Sequence, residues 1–409
     1  MLREDIRLGC ADVAPQESET IEHFSYCCFF DEGSWYDKAT ALCLEDCFNI
    51  YNSLYDEQQA IIESGEDIEA LMVGLTSFPN LERVTISSEA WRLQMSCPRF
   101  STPFFRSLPT EFRMPTPWPW LGYDYDELTE DEREKLTLPW DDAYEQWRGY
   151  QIVISALVST ASNHNVRELI IDTNFELTGI SHQLFASDDK NMGLATTVQL
   201  FEIVPLTRLE LCLNVTAAEE TEFACFHNGL LKKALSHLSA LRHLLLGTSI
   251  HEDVMQDIMG DNNTESPWIH LDEILPLDFF ETKLESLQLR NFFLRGESLF
   301  RAFKQLKVLT AMHIGSATLS EEFTWREFWF QVKDELSSTW RPGQPAFIMR
   351  CSLSSHHTQL DISEQLAAFL YGDGECPFKE NLPMHATEGW VVNNWDPDER
   401  LYWGPLATS

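Results

Sequence analysis

The residues best placed to do chemistry are few, and each set lacks a partner its chemistry would need. Cys43 and Cys47 stand one helical turn apart, a spacing that could hold a metal ion, and Cys27 and Cys28 could add thiolates. Zinc sites join one C-x2-4-C step to a second step or to regularly spaced histidines, whereas the second pair here is contiguous. Packed, reduced thiols are therefore expected and a metal is not. Asp124, Asp126 and Glu127 could gather a cation, yet an EF-hand frame begun at Asp124 needs glycine sixth and glutamate twelfth, where Thr129 and Lys135 stand. His356 and His357, near Cys351, would make an acid-base pair if they converged, but neighbours on a strand face opposite sides. His251-Glu252 meets Met255 where H-E-x-x-H needs its second histidine, and no P-loop, G-x-G-x-x-G or G-x-S-x-G occurs. The expectation is a non-enzyme without a cofactor. The rival class, a hydrolase or transferase, would have to keep its site in segment 96–140.

Recognition chemistry is better represented. Arg208, His243 and Arg290 supply a locally basic spot, with Glu210, Gln288 and His313 as hydrogen-bonding neighbours. Arginine binds carboxylate or phosphate bidentately, so the partner this set predicts is an acidic or phosphorylated segment of another protein. The six residues share a face only if the strands that carry them lie side by side.

A recurring L-x-x-L-x-L grammar supplies such strands. Leu284-Glu-Ser-Leu287-Gln-Leu289 is its clearest copy, and others begin at Leu81, Val166, Leu206, Leu241 and Leu309, giving steps of 85, 40, 35, 43 and 25 residues. Apolar and polar positions alternate in each, the mark of a strand with one buried face. Uniform leucine-rich repeats run about 20 to 29 residues, so only the last step fits and the longer ones need helical returns. The predicted fold is α/β, an irregular leucine-rich-repeat solenoid with parallel strands on its concave side and helices on its convex side. Thr85, Ile170, Glu210, Leu245, Gln288 and His313 would form the central concave row, flanked by Arg83, Glu168, Arg208, His243, Ser286 and Ala311. Glu210 and Glu168 are placed to neutralise Arg208.

Residues 1–77 read as a helical N-terminal cap with apolar stripes over 39–55 and 61–75. The repeats occupy 78–355, and 356–409 form a C-terminal cap and tail. Within the repeats, 96–140 is an insertion: it holds seven of the 18 prolines, and seven of the eleven residues from Asp124 to Glu134 are acidic. A helix from Trp140 onward puts Trp147, Tyr150, Ile154 and Leu157 on one face. Further helices are expected over 218–238, with Phe223, Phe226, Leu230 and Ala234 aligned, and over 297–306, 324–336 and 363–370. A last strand is expected over 347–351.

Asp and Glu number 65 against 29 Lys and Arg, a net charge of −36. Such a field repels phosphate backbones and anionic lipid, which argues against nucleic acid and membrane partners. No run approaches the ~18 apolar residues of a membrane helix. Ten scattered cysteines without a compact framework suit reduced thiols, and the expected location is intracellular, cytoplasmic or nuclear.

The repeated strands on variable helical returns, together with Phe369-Leu-Tyr-Gly-Asp-Gly-Glu-Cys-Pro377, resemble the leucine-rich-repeat region of fungal F-box-type proteins over roughly 78–380. The resemblance implies a substrate-recognition role, with an F-box recruiting a Skp-type adaptor and a ubiquitin ligase. An F-box opens with L-P-x-E-[LI] ahead of some forty residues of apolar helix, and residues 1–77 contain no such start. Leu108-Pro-Thr-Glu-Phe112 copies the opening letters, but Pro115, Pro117 and Pro119 forbid the helix. A family member that has lost its own partner is a further reading.

Overall fold

The computed structural model describes residues 42–87, 91–92, 97–98, 109, 148–172, 180–186, 192–215, 223–248, 268–315, 317–320, 323–340, 344–353 and 358–378. The chain forms two units, Met1–Pro79 with Ile86–His164, and Asn80–Thr85 with Asn165–Ser409.

The first unit is mainly helical where it is described. Helix α1 (Leu44–Ser64) starts at Cys43, whose thiol accepts from the Asp46 N–H at 3.4 Å, and it buries Cys47 and Tyr51. It runs past the expected end at residue 55, because its one break signal is Gly65 in the left-handed region (φ 73°). The N–H of Gly65 closes α1 on the Ile61 carbonyl, and its own carbonyl accepts from Ile68 and Glu69 to open α2 (Glu66–Ser77). Ile61, expected to begin the second helix, therefore sits in the last turn of the first. Helix α3 (Arg148–Ser159) buries Tyr150, Ile154 and Leu157 on the anticipated face, and it ties to α2 through Arg148 and Asp67. The hydrogen bond from Arg148 holds the Asp67 carboxyl below the usual range. Residues Trp91–Arg92 and Cys97–Pro98 pair antiparallel. Trp147 and the acidic run 124–134 lie outside the described residues.

The second unit is mixed α/β around an open, mostly parallel sheet. Its strands are β1 (Arg83–Ser87), β2 (Glu168–Asp172), β3 (Arg208–Asn214), β4 (His243–Thr248), β5 (Ser286–Arg290), β6 (Ala311–Gly315), β7 (Ala346–Leu353) and β8 (Thr358–Asp361). Their spatial order is their chain order, and the two-residue strand Ile180–Ser181 pairs parallel with the end of β3 off that order. Strands β2 to β7 are parallel, and β8 adds antiparallel to β7. The register runs Leu169, Leu209, Leu244, Leu287, Met312, Phe347, so the leucines of successive copies are equivalent across the sheet. Loop lengths differ, yet the strands start alike. The carbonyls of Glu82, Arg167, Thr207, Arg242 and Glu285 each accept two N–H groups from the beginning of the next strand.

One face of this sheet is core. Leu209, Leu211, Leu244, Leu246, Leu287, Leu289, Met312 and Ile314 are all buried. Helices pack against it. Phe303 of α9 and Trp329 of α10 lie 5.4 and 5.1 Å from the ring of Phe347 on the same face. In chain order the helices of this unit are α4 (Met192–Ile203), α5 (Ala224–His227), α6 (Leu230–Leu235), α7 (Leu271–Ile274), α8 (Leu277–Phe280), α9 (Gly296–Gln305), α10 (Trp325–Glu335) and α11 (Ser363–Tyr371). Thr324 and Glu327 close a capping box at the start of α10.

The helix expected over 218–238 is not continuous. Residues 216–222 lie outside the described set, and between α5 and α6 Gly229 turns left-handed (φ 75°) while the Asn228 amide donates to the Phe185 carbonyl at 2.7 Å. The break shifts the helical phase, so Leu231 is buried instead of Leu230. A second correction is a short outer ladder that follows the main strands. Phe293–Leu294 pairs parallel with Thr318–Leu319, and Ile269 bridges to Leu294. Asn291 makes that turn possible: it adopts φ 55°, its N–H donates to the Gly315 carbonyl at 2.9 Å, and its amide donates to the Thr248 carbonyl at 3.0 Å.

Gly296 opens α9 directly against Phe323, and a Cβ built on it would come within 2.8 Å of the Phe323 Cβ and ring. Because Phe323 meets it with its near end, Gly296→Ala is expected to destabilise by about 1–3 kcal/mol despite the better helix propensity of alanine. Urea unfolding of the variant measures this, and a gain in stability would contradict it.

Candidate functional site

The opposite face of the sheet carries the polar residues of the repeats. In register, one row runs Glu168, Arg208, His243, Ser286, Ala311, Ala346. The next runs Ile170, Glu210, Leu245, Gln288, His313, Ile348, and the third Cys212, Gly247, Arg290, Gly315. The period-2 geometry of a strand sends these residues away from the leucine core.

The six candidate residues are spread over this face. Arg208 and His243 are register neighbours, as expected. Arg290 stands four residues beyond Ser286, the register partner of His243, which is about 13 Å along the strand direction. It does not join them in one spot. Gln288 and His313 pair in the middle row between β5 and β6.

Charges are largely matched within the face. Arg208 donates from Nε to Glu210 at 2.8 Å, both side chains being partly exposed. Glu168 pairs with Arg83 at 2.6 Å rather than with Arg208, because Glu210 on the same strand as Arg208 already occupies that guanidinium. With its amide turned so that the oxygen faces Arg290, Gln288 accepts from Nε and Nη2 at 2.8 and 3.0 Å. The guanidinium of Arg290 is thereby held along its own strand.

Two residues beside Arg290 carried no weight in the sequence reading. Gly247 and Gly315 are its register partners on either side. A Cβ on Gly247 would meet the Cys212 Sγ at 2.9 Å, so packing explains that glycine. A Cβ on Gly315 would stand 3.6 Å from Arg290 Cγ, an ordinary contact, so the chain itself does not demand glycine there. The signal was available: each glycine follows the last apolar residue of its repeat. Together they leave Arg290 as the one long side chain among its immediate register partners, over bare backbone.

This surface can donate hydrogen bonds from arginine, histidine, serine and amide groups to an extended or acidic ligand. Among the described residues no group of three or more His, Cys, Asp or Glu is placed to hold a metal ion. Cys43 is exposed and engaged in capping α1, whereas Cys47 is buried. His251, His356, His357 and the Asp124 cluster lie outside the described residues. No described helix is long and apolar enough to cross a membrane. No family model and no curated protein matches the chain.

Proposed function

We propose that the chain is an irregular leucine-rich-repeat protein that catalyses no reaction and binds another protein through the polar face of its sheet. The observation that carries this reading is the asymmetry of the sheet. Parallel strands are usually covered by helices on both faces. Here one face is leucine core, while the other presents Arg208, His243, Gln288 and Arg290 at partly or fully exposed positions around a buried patch of Ile170, Cys212, Leu245 and Gly247. A wide face of that kind suits a partner chain better than a small substrate, which needs a deep pocket with converging polar groups. Arg208 and Arg290, two strands and four residues apart and so roughly 16 Å from each other, favour an extended acidic or phosphorylated segment. In an F-box-like setting that segment would belong to a ubiquitin-ligase substrate, and a purified Skp-type adaptor tests the setting directly by retention on the immobilised chain.

The surface itself is tested with an array of acidic and phosphorylated peptides. The double variant Arg208→Glu, Arg290→Glu is expected to bind its best peptides at least tenfold more weakly, with a melting temperature close to that of the wild type. Undiminished binding, or a large drop in melting temperature, would return both arginines to a purely structural role.

A further inference from the structure

We propose that the sheet face recognises its partner at one subsite, the open position over Gly315 bordered by Arg290 and His313, and that the group bound there is the phosphate of a phosphorylated serine or threonine. This subsite rests on the reading of the face as a binding surface, and it adds where the partner's charge sits and what carries it. Four residues form a block in register: Gln288 lies beside His313, and Arg290 beside Gly315. All four are partly exposed. On the other side of Arg290 the surface is closed, since Leu245 and Gly247 of β4 are buried.

Gly315 is the member of the block that packing does not require. Strand β6 is regular there, the glycine has no left-handed φ, and an added Cβ would make only ordinary contacts, the nearest at 3.6 Å from Arg290 Cγ. Glycine weakens a strand interior, and where the fold does not need it, it marks the close approach of a ligand or another chain. Donors border this gap. Arg290 stands across the ladder, and His313 lies two residues back along β6. Their Cα atoms are roughly 8 Å apart, one strand spacing across and two residues along, so both side chains can close on one small anion. Gln288 accepts from Nε and Nη2 of Arg290, which draws the guanidinium back toward the row that holds His313. A guanidinium fixed beforehand loses less side-chain freedom on meeting a ligand. Strands β4, β5 and β6 contain no Asp or Glu, whereas Arg208 already faces Glu210 on its own strand.

A phosphate suits the subsite better than a carboxylate. It concentrates nearly two charges and three acceptor oxygens in a compact group, and arginine binds it bidentately. A segment dense in carboxylates would instead meet, along its whole length, the repulsion of a chain at −36.

The test immobilises the full chain and compares three degenerate peptide libraries that differ only in a fixed central residue: phosphoserine, glutamate or serine. The phosphoserine library is expected to be retained at least tenfold more than the other two. Gly315→Val, Arg290→Gln and His313→Ala should each cut that preference at least fivefold, and Arg208→Gln should keep it, all with melting temperatures close to that of the wild type. Equal retention of the glutamate library would make the recognised group a carboxylate. Undiminished preference in Gly315→Val, Arg290→Gln or His313→Ala, or an equal loss in Arg208→Gln, would place the phosphate elsewhere. A fall in the Gly315→Val melting temperature would return that glycine to the fold. Each of these results overturns the subsite. Where no library is retained but acidic peptides still bind, the subsite falls and the binding face stands; where neither binds, both fall.

Discussion

Trp329→Ala is expected to cost about 3–5 kcal/mol of unfolding free energy. Trp329 is fully buried in α10, with ring centroids of Phe328, Phe347 and Phe303 at 5.0, 5.1 and 6.1 Å and Trp325 stacked at 6.2 Å. These rings come from two helices and the last parallel strand, so the indole joins three elements where the leucine face ends. Removing it leaves a large void that α10 cannot close without losing its contact with β7. The same residue allows an internal control. Its Nε1 is buried without a hydrogen-bond partner, a group that costs about 1–3 kcal/mol to leave unsatisfied. Trp329→Phe removes that donor while keeping an aromatic ring, and its loss should be far smaller than that of the alanine variant. Chemical denaturation of both variants decides the matter: equal losses would mean that the indole does not bridge these elements.

The leucine ladder was legible because alternation translates directly into sides of a strand. Leu209, Leu244 and Leu287 needed only a shared spacing to be recognised as equivalent, and the staircase of paired carbonyl acceptors keeps that equivalence despite unequal loops. Breaks inside helices were harder to see. Phe223, Phe226, Leu230 and Ala234 fit one helical face, and nothing in that spacing reveals that Gly229 turns left-handed with Asn228 tied to Phe185 far away in sequence. Two-residue strands such as Phe293–Leu294 are too short to carry any period, and β8 is only four residues.

The candidate face divides in the same way. Which residues lie on it follows from period two, so Arg208 beside His243 was foreseeable. Which charges pair on it does not, since Glu168 and Glu210 were equally plausible partners for Arg208. The competition is settled by Glu210, two residues along the same strand, which leaves Glu168 to Arg83. The spot expected of Arg208, His243 and Arg290 does not form for a related reason: period two puts all three on one face, but Arg290 lies two rows beyond the row that Arg208 and His243 share.

Leu287→Ala is expected to lower the unfolding free energy by about 2–5 kcal/mol, while Gln288→Ala next to it should change it by no more than about 0.5 kcal/mol. Leu287 is fully buried in register between Leu244 and Met312, so truncation opens a cavity with a strand on each side. Those strands cannot close over it, because Arg242 and Glu285 each fix the start of the following strand through two backbone hydrogen bonds. The loss should therefore fall in the upper part of the range, since the cost of a cavity grows with the volume that remains after relaxation. Gln288 occupies the polar face, where its amide meets Arg290, and truncation there removes a partly exposed contact. Urea midpoints at unchanged slope measure both substitutions. If the two were equal, the leucine side of the sheet would not be its core, and the assignment of the opposite side to binding would fall with it.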